Sequence, residues 1–585
     1  MKRRAWSIAA AVLALTLTAC GGAPLPASVV PDSSATVAWS HGGLTTLNAA
    51  LSTGVTGGDL DVAQLTRAQF ARERQGEVTT DPAFGEATIS DDSGDGLTVR
   101  YDLAEPVWSD GIALDAADLL LAWAAGSGAL AGEGGPGFAS AANGLRQSTT
   151  TPTFDEFGRW VEVEFDAPVV DWQTAIDVAV PAHVVGRIAL GLDDPMVAKK
   201  AVIDAITQRD ADALTRIALA WNEGFAVGDG SSPAAELSLS SGPFRIEEVT
   251  GAAGAGDQRV QLVANGEYAG EPFPAYERIV LQQASDLDPT TQLGTEFDVM
   301  QVRPDAADFD AVQELERDDY GRAVSNRGQM WALVARVDGS PSRSMLADPD
   351  ARRAFLAAVP AGEVVAEAAG PWSTDYAPTS SMVFPPGTDG YDIAVEDAGR
   401  AEALSVDGNA DDARRAAEVP RGARVCVLYD TGVPFAGRAF EALRDLVGES
   451  GWSATDCGSD DPLGVVENGG AFDAALVRLP VPIEPRDLRA QWGSDSPLNI
   501  SGATSGKRDA LIDELERTTD AYDARDTRVE IEKTIVDQLV SVPLAMDPVI
   551  TLSDRDVEGV QPSSGTPDGL VAGATGWAPV VPTAP

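Results

Sequence analysis

Hydrophobic and polar residues alternate along VRYDL, Val99–Leu103, as they do in a strand with one buried face. The turn Ser109-Asp110-Gly111 follows, and Asp115 can then accept hydrogen bonds from the first N–H groups of a helix. Apolar residues next recur at helical spacing: Leu119, Leu120 and Trp123. The pattern predicts a strand, a turn and a capped helix.

The same reasoning predicts further elements along the chain. Residues Asp61–Arg74 and Lys199–Trp221 are each predicted to form one helix, and Trp160–Phe165 alternates as a strand. The stretch Ala423–Gly458 is typical of a strand–helix–strand unit with parallel strands. Strands and helices are therefore mixed, which indicates an α/β protein.

Length and charge limit the classes of protein to consider. A chain of 585 residues is too long for one core, so two to four domains are expected. The formal charge is −48, from 90 acidic and 42 basic residues, and no basic patch is dense enough to indicate nucleic-acid binding. We interpret the charge as a solvated acidic surface. A preference for cationic ligands stays open, because net charge alone does not establish it.

The N-terminus is typical of an exported protein. Positive residues 2–4 precede a short apolar run, and the whole stretch Ala5–Ala19 is too short for an ordinary transmembrane helix. The sequence Leu17-Thr18-Ala19-Cys20 resembles a bacterial lipobox, in which the cysteine is lipidated and becomes the first residue of the mature chain. The alternative is an ordinary secretory signal with an incidental cysteine. We expect anchoring by lipid through Cys20 and no membrane-spanning segment after it.

Two cysteines remain, Cys426 and Cys457, one in each strand of the predicted strand–helix–strand unit. Export favours a disulfide between them. The alternative is a pair of buried thiols in adjacent strands. A zinc site is disfavoured, because two cysteines without nearby histidine do not complete a tetrahedral ligand set.

No catalytic pattern stands out in the sequence. The chain has two histidines, His41 and His183, and neither a G-x-S-x-G elbow nor an H-E-x-x-H helix is present. The glycine-rich stretch 126–140 contains a formal G-x-G-x-x-G spacing, but it follows a predicted helix, so we interpret it as a flexible loop. A glycosidase that uses two carboxylates stays possible. We expect no enzymatic activity, no cofactor and no bound metal.

The turn and its helix resemble a conserved segment of the family 5 extracellular solute-binding proteins, the oligopeptide, dipeptide and nickel receptors of ABC importers. The residues that carry the resemblance are Trp108, Ser109, Asp110, Gly111, Leu114, Ala116 and Asp118. Further segments resemble the family in the same order: 238–249, 259–282, 293–302, 345–359 and 496–515. The resemblance covers about 530 residues in collinear order.

The resemblance implies a two-lobed periplasmic-binding-protein fold of the cluster C type, with three subdomains. The implied organisation is a signal peptide (1–19), a lipidated tether (20–35), lobe I in three segments (36–75, 236–300 and 541–585), an extra subdomain of lobe I (76–235) and lobe II (301–540). It also implies a ligand held between the lobes, with residues from both lobes in contact with it.

One segment departs from the peptide-binding members. They have W-x-A-D-Y-x-[D/E]-P, and the first Asp pairs with the α-amino group of the peptide. Aligning Glu484-Pro485 places Val481 at that Asp and Arg478 at the Trp. A buried ammonium without a carboxylate is costly, which argues against free oligopeptides. Arg478 would instead favour an anionic or blocked end of the ligand, unless it pairs with a surface carboxylate.

The resemblance implies a specific set of ligand-binding residues, from lobe I and then lobe II: Ser40, His41, Gly42, Trp331, Trp372, Arg478 and Glu484. We expect a monomeric, actinobacterial-type lipoprotein on the extracytoplasmic face of the membrane. It would capture a peptide or peptide-like solute and deliver it to an ABC permease. The alternative is a non-transport envelope lipoprotein of the same fold, acting as a scaffold or regulator of lipoglycan synthesis.

Overall fold

A computed structural model provides the fold. It describes these residues: 25, 27–74, 77–92, 94–130, 137–156, 158–228, 230, 232–285, 287–304, 309–338, 344–565 and 569–580. The predicted signal peptide and Cys20 lie outside the described residues, as do 131–136 of the glycine-rich stretch.

Strands and helices follow one another along the whole described chain. The strands are β1 (Val30–Trp39), β2 (Ala71–Arg74), β3 (Glu77–Thr80), β4 (Gly85–Asp91), β5 (Leu97–Leu103), β6 (Thr153–Phe154), β7 (Trp160–Phe165), β8 (Phe244–Thr250), β9 (Arg259–Ala264), β10 (Tyr276–Gln283), β11 (Val299–Val302), β12 (Gly321–Ala335), β13 (Ala423–Leu428), β14 (Trp452–Asp456), β15 (Ala474–Pro480), β16 (Ser541–Ser553), β17 (Val557–Glu558) and β18 (Ala578–Pro579). The helices are α1 (Gly57–Thr66), α2 (Ala116–Ser127), α3 (Ala182–Leu190), α4 (Pro195–Gln208), α5 (Ala211–Glu223), α6 (Pro289–Gln292), α7 (Phe309–Arg317), α8 (Pro349–Leu356), α9 (Ala361–Ala369), α10 (Tyr391–Ala398), α11 (Arg400–Ala403), α12 (Ala410–Ala416), α13 (Pro434–Glu449), α14 (Pro462–Glu467), α15 (Pro485–Trp492), α16 (Gly506–Leu515) and α17 (Ala521–Asp537).

A mixed sheet of ten strands runs through both lobes, in the order β14-β13-β15-β12-β16-β11-β1-β10-β9-β8. Lobe I holds β1, β8, β9, β10 and β11, and lobe II holds β13, β14 and β15. The long strands β12 and β16 pair antiparallel, and β16 also pairs with β11. These two strands therefore connect the lobes.

Lobe I has its own apolar core. Alternate residues of β1, Ala35, Val37 and Trp39, face this core and are almost fully buried. The chain returns to it near the C-terminus, where Trp577 is completely buried. The extra subdomain has a separate core from Ala68 to Phe225, built on the sheet β4-β5-β7-β6 and on α2 to α5.

Lobe II packs helices on both faces of its part of the sheet. One face covers Trp331 and Leu333 of β12, and the other covers Met330, Ala332 and Val334. This strand is buried on both faces, and its sequence is accordingly apolar over several consecutive residues. With the extra subdomain, the lobes form the two-lobed, three-subdomain α/β fold that we expected.

The predicted strand–helix–strand unit is present as β13, α13 and β14, with β13 and β14 parallel. Cys426 pairs with Thr455 across the two strands, and Cys457 follows the last residue of β14. The structure joins the two sulfurs in a disulfide, with Cα atoms 5.6 Å apart. That separation lies in the ordinary range for disulfides.

Two helix predictions are wrong in their extent. The predicted helix Asp61–Arg74 is α1, which begins earlier because Thr56 caps it and ends at Thr66; the residues of β2 pair with β3 instead. The predicted helix Lys199–Trp221 is two helices. Arg209, with φ of 53°, ends α4, and Asp210 caps α5 by accepting from two backbone N–H groups.

The first strand begins earlier than the predicted tether allows. Val30 already pairs with Tyr276 of β10, and Ala35 is completely buried. Within the described ranges, no helix combines the length and the apolar character needed to cross a membrane.

Candidate functional site

The end of β1 is tied to α1 through a buried carboxylate. Trp39 Nε1 donates to Asp61 Oδ2 at 2.7 Å, and His41 Nδ1 lies 2.9 Å from the same oxygen. The connection is tight, because a Cβ on Gly58 would lie 2.6 Å from the carbonyl oxygen of Gly42. This contact fixes the loop that carries His41 against the first turns of α1.

A second carboxylate organises the facing part of lobe II. Asp547 of β16 accepts a hydrogen bond from Trp331 Nε1 at 2.7 Å and another from Arg478 Nη1 at 3.1 Å. Trp331 and Arg478 are direct neighbours across β12 and β15. The Trp331 ring also packs on Phe435, with 4.7 Å between ring centroids.

Arg327 stands between these two groups. The pKa of its guanidinium is lowered, first by burial and then by the positive charge of Arg303, and Arg478 acts in the same direction. Asp61 and Asp547 oppose this shift. Charged groups of lobe I and lobe II therefore interact electrostatically at the base of the cleft.

A cavity of about 380 Å³ opens between the extra subdomain, lobe I and lobe II. We call it the interlobe cavity. Its polar lining residues are Gln64, Gln69, Arg72, Glu73, Ser140, Asn143, Asp171, Thr174, Asp177, Glu484 and Arg486. Alanines and Trp221 supply most of the apolar lining. Small-molecule sites in proteins usually enclose roughly 300–1,000 Å³, so the volume suits a small solute.

Carboxylates dominate the charge of the interlobe cavity. Burial raises the pKa of Glu73 to about 7; Arg528 opposes the shift, whereas Glu484, Asp171 and Asp487 add to it. Burial is also the main cause of the raised pKa values of Asp171 and Glu484. These groups come from both sides of the cleft, so each is sensitive to how closely the two sides approach.

Hydrogen bonds join the two sides around the interlobe cavity. Val170 N donates to the carbonyl oxygen of Glu516 at 3.1 Å, and Trp172 Nε1 donates to that of Thr519 at 3.2 Å. Arg486 Nη1 reaches back from lobe II to the carbonyl oxygen of Ala142 at 2.8 Å. The lobes are therefore in contact beside the cavity.

The structure distributes the predicted ligand-binding residues over three places. His41, Arg478 and Trp331 lie around the base of the cleft, with Ser40 and Gly42 exposed in the loop beside His41. Glu484 lines the interlobe cavity. Trp372 is 5% exposed and packs edge-on against Phe309, in the same core of lobe II that contains Trp331.

Several residues at these places were missed from the sequence. The sequence pattern places Asp61 only in a helix, and no pattern singles out Asp547 or Arg327. The glycine that follows Arg327 within a strand is a usable signal, because glycine inside a strand marks a bulge or a close approach. Nothing in the local sequence distinguishes Glu73 or Asp171 among 90 acidic residues.

The arrangement can hold a polar solute by hydrogen bonds and charge. Within the described ranges, no group of three or more His, Cys, Asp or Glu residues is arranged to hold a metal ion. The charges differ along the cleft: arginines prevail at its base, and carboxylates prevail in the interlobe cavity.

Comparison with protein families gives one match over more than half of the chain. The model described as "Bacterial extracellular solute-binding proteins, family 5 Middle" matches residues 82–416. These residues include the turn and helix at Trp108, the extra subdomain and the start of lobe II.

Similar proteins cover nearly the whole chain. An uncharacterized lipoprotein of Mycobacterium tuberculosis is 26% identical over 554 residues, which are 91% of this chain and 90% of that protein. The structure of a periplasmic EDTA-binding protein, EppA, is similar with a TM-score of 0.70 and 18% identity, over 96% of this chain and 98% of that one. The oligopeptide-binding protein AppA of Bacillus subtilis, in complex with a nonapeptide, gives a TM-score of 0.57 and 13% identity, over 94% and 100%.

Proposed function

This chain belongs to the bacterial extracellular solute-binding proteins of family 5, and from that premise we propose that it captures a small solute between its lobes and delivers it to an ABC permease. The observation that carries the proposal is the interlobe cavity, which both lobes and the extra subdomain line. Two-lobed proteins of this kind bind by closing around a ligand, and hydrogen bonds between the two sides beside the cavity support such a closure here.

The solute is a peptide or a peptide-like molecule that lacks a free amino terminus at the family's usual place. The likeness to an oligopeptide-binding protein supports the first part. The second part rests on Val481, which is 4% exposed and packs in the apolar core of lobe II. Val481 supplies no carboxylate and its apolar surroundings disfavour an ammonium, so we expect other groups to recognise the ligand.

Cys20 is the proposed site of lipid attachment, and the extracytoplasmic face of the membrane is the proposed location. The lipobox-like sequence and the similarity to mycobacterial lipoproteins support both. A monomer suffices for this role, because one chain supplies both walls of the cavity.

Native mass spectrometry of the full-length protein, purified in detergent, tests solute binding. We expect a non-covalent adduct on the order of a few hundred daltons, the size that the cavity admits. Ala49→Trp places a large ring at the cavity wall and should remove the adduct, whereas Ala49→Ser should keep it. Wild-type protein without an adduct, or an adduct that Ala49→Trp leaves unchanged, would contradict the proposal.

Cross-linking in intact membranes separates transport from the scaffold alternative. A receptor should be captured with a permease, and capture should increase when solute is supplied. Recovery with a glycosyltransferase instead, together with the absence of a small adduct, would favour the scaffold. The missing carboxylate at Val481 is the feature that keeps this alternative open.

A further inference from the structure

A strand irregularity places Arg327 at the base of the cleft. Along β12 and β16, Asn326 pairs with Pro548 and Met330 pairs with Met546, so that residues 327–329 stand opposite Asp547 alone. Gly328 adopts φ of 69°, and its carbonyl oxygen accepts from Val481 N at 2.7 Å. Bulges of this kind re-aim side chains and occur frequently beside binding sites.

Arg327 is poorly satisfied by the protein. Its Nη2 donates to Gln301 Oε1 at 3.1 Å, and Gln301 in turn donates to Thr551. Its Nε is buried and has no acceptor among the described residues. A buried donor that loses water without gaining an acceptor is destabilising, so this guanidinium is held at a cost to the folded protein.

The nearby carboxylates already serve other donors. Asp61 accepts from Trp39 and lies beside His41, and Asp547 accepts from Trp331 and Arg478. The charged groups that act most strongly on Arg327 are two arginines, Arg303 and Arg478, and two carboxylates, Asp61 and Asp547. An anionic group of a ligand would reduce the repulsion among the three arginines.

We propose that Arg327, with Arg303 and Arg478, forms an oxyanion subsite that binds a carboxylate or phosphate group of the solute. The planar guanidinium of Arg327 offers its free Nε–H, and Arg303 is exposed and has no ion pair among the described residues. The inference rests on the proposed function and narrows it to solutes with an anionic group.

Helix α1 contributes residues both to the surroundings of the subsite and to the wall of the interlobe cavity. Asp61 beside Arg327 and Gln64 in the cavity wall are three residues apart on α1, so they lie on neighbouring turns of the same face. The acidic lining of the cavity then repels the anionic group and the arginines attract it. The solute is therefore oriented with its anionic end at Arg327.

Thermal unfolding of the full-length protein in detergent, with citrate or inorganic phosphate as probes, tests the subsite. Bound solute is first removed by reversible unfolding in urea, and ionic strength is held constant with chloride. We expect each probe, or the one whose geometry fits, to raise Tm saturably, because a ligand of the native state stabilises it. Arg327→Gln should weaken the apparent affinity at least tenfold, and Arg478→Gln should weaken it several-fold.

Arg444→Gln is the matched control, since Arg444 is an exposed arginine on α13 of lobe II. It should retain the wild-type response, and Arg327→Lys should retain part of it. A linear, non-saturable rise that is equal in all variants would be general salt stabilisation and would overturn the proposal, as would a saturable response that Arg327→Gln and Arg478→Gln both leave unchanged. If native mass spectrometry still finds an uncharged solute, this inference fails and the proposed function stands.

Discussion

At the scale of single residues, the buried charge of Lys199 is compensated by two carboxylates. Lys199 is 2% exposed, and its Nζ lies 2.8 Å from Asp118 and 3.1 Å from Asp115. Burial works against its charge, but the attraction of the two carboxylates outweighs burial and raises the pKa of Lys199. Asp118 also accepts from Trp108 Nε1 and from Ala182 N. This network fixes the turn at Trp108 to α2 and α4.

Lys199→Met should therefore destabilise the protein strongly. Removing one partner of a buried ion pair leaves the other charge uncompensated, which costs about 3–5 kcal/mol. The control is Lys200→Met on the same helix, because Lys200 is exposed and its pairs are on the surface. In urea unfolding, the control should change the free energy of unfolding by about 0.5 kcal/mol or less. Equal effects of the two substitutions would contradict the account of this network.

Glu73 should make stability depend on pH. Because its pKa is about 7 in the folded protein, the unfolded chain ionises first as pH rises. Glu73 makes its full contribution to the free energy of unfolding below about pH 4.5. This contribution, up to about 3 kcal/mol, is lost as pH rises to about 7. Arg528, Glu484, Asp171 and Asp487 are the charged groups around it.

Chemical unfolding of wild type and Glu73→Gln between pH 4.5 and 8 measures this effect. The variant should gain stability relative to wild type across that window, since the amide does not ionise. Glu86→Gln, on an exposed site of β4, should follow wild type. Parallel pH profiles for Glu73→Gln and wild type would show that Glu73 is not buried between the lobes in solution.

Contacts between residues close in sequence were predictable, whereas contacts between residues far apart in sequence were not. Asp115 caps α2 as expected, because a cap depends on residues two or three positions away. Arg327 depends on the register of β12 against β15 and β16, whose partners lie more than a hundred residues further along the chain. No local pattern could bring Asp547 to it.

At the scale of elements, whether a segment forms a strand or a helix was predicted better than the residues at which it begins and ends. The strand at Val99 and the unit containing the two cysteines have the expected form. The prediction of one helix from Lys199 to Trp221 is wrong, because the chain breaks at Arg209. The positive φ of Arg209 and the cap at Asp210 cause the break, although the apolar spacing continues across it. When two consecutive helices present apolar residues on the same face, the apolar spacing runs on across the break between them. The hydrophobic pattern alone therefore does not reveal the break.

The disulfide between β13 and the end of β14 should stabilise lobe II. Its cysteines are 31 residues apart, and closing such a loop stabilises by about 3–4 kcal/mol on the chain-entropy model. The double variant Cys426→Ser/Cys457→Ser should unfold at a correspondingly lower urea concentration. Reductant should shift wild type toward the variant and leave the variant unchanged. Free thiols in the native protein, detected by mass after alkylation, would contradict the pairing.

At the scale of the whole molecule, the order of weak motifs predicted the two-lobed fold, and the interlobe cavity could not be predicted. The order sufficed because each motif marks one element of a fixed topology. The cavity has walls from Ala49 to Arg486, contributed by both lobes and the extra subdomain. The shape of the cavity depends on how the two lobes and the extra subdomain pack against one another, and no single segment of the sequence predicts that packing.

The proposed anchor acts on the whole molecule as well. Cys20→Ala should release the protein to the medium or leave it unprocessed, because the residue that carries the lipid is gone. Membrane fractionation and the mass of the mature N-terminus measure the outcome. The double serine variant of Cys426 and Cys457 is the matched control, and it should stay membrane-bound. Unchanged processing and retention of Cys20→Ala would contradict lipid attachment there.

In the function proposed for this protein, the two sides of the cleft close around a solute. The distance between spin labels at Asp212→Cys on α5 and Glu514→Cys on α16 tests it most directly, because both residues are exposed and lie on opposite sides. Pulsed electron resonance should give a broad distribution without solute and a single short distance with the solute released from native protein. Identical distributions in the two states would contradict the account.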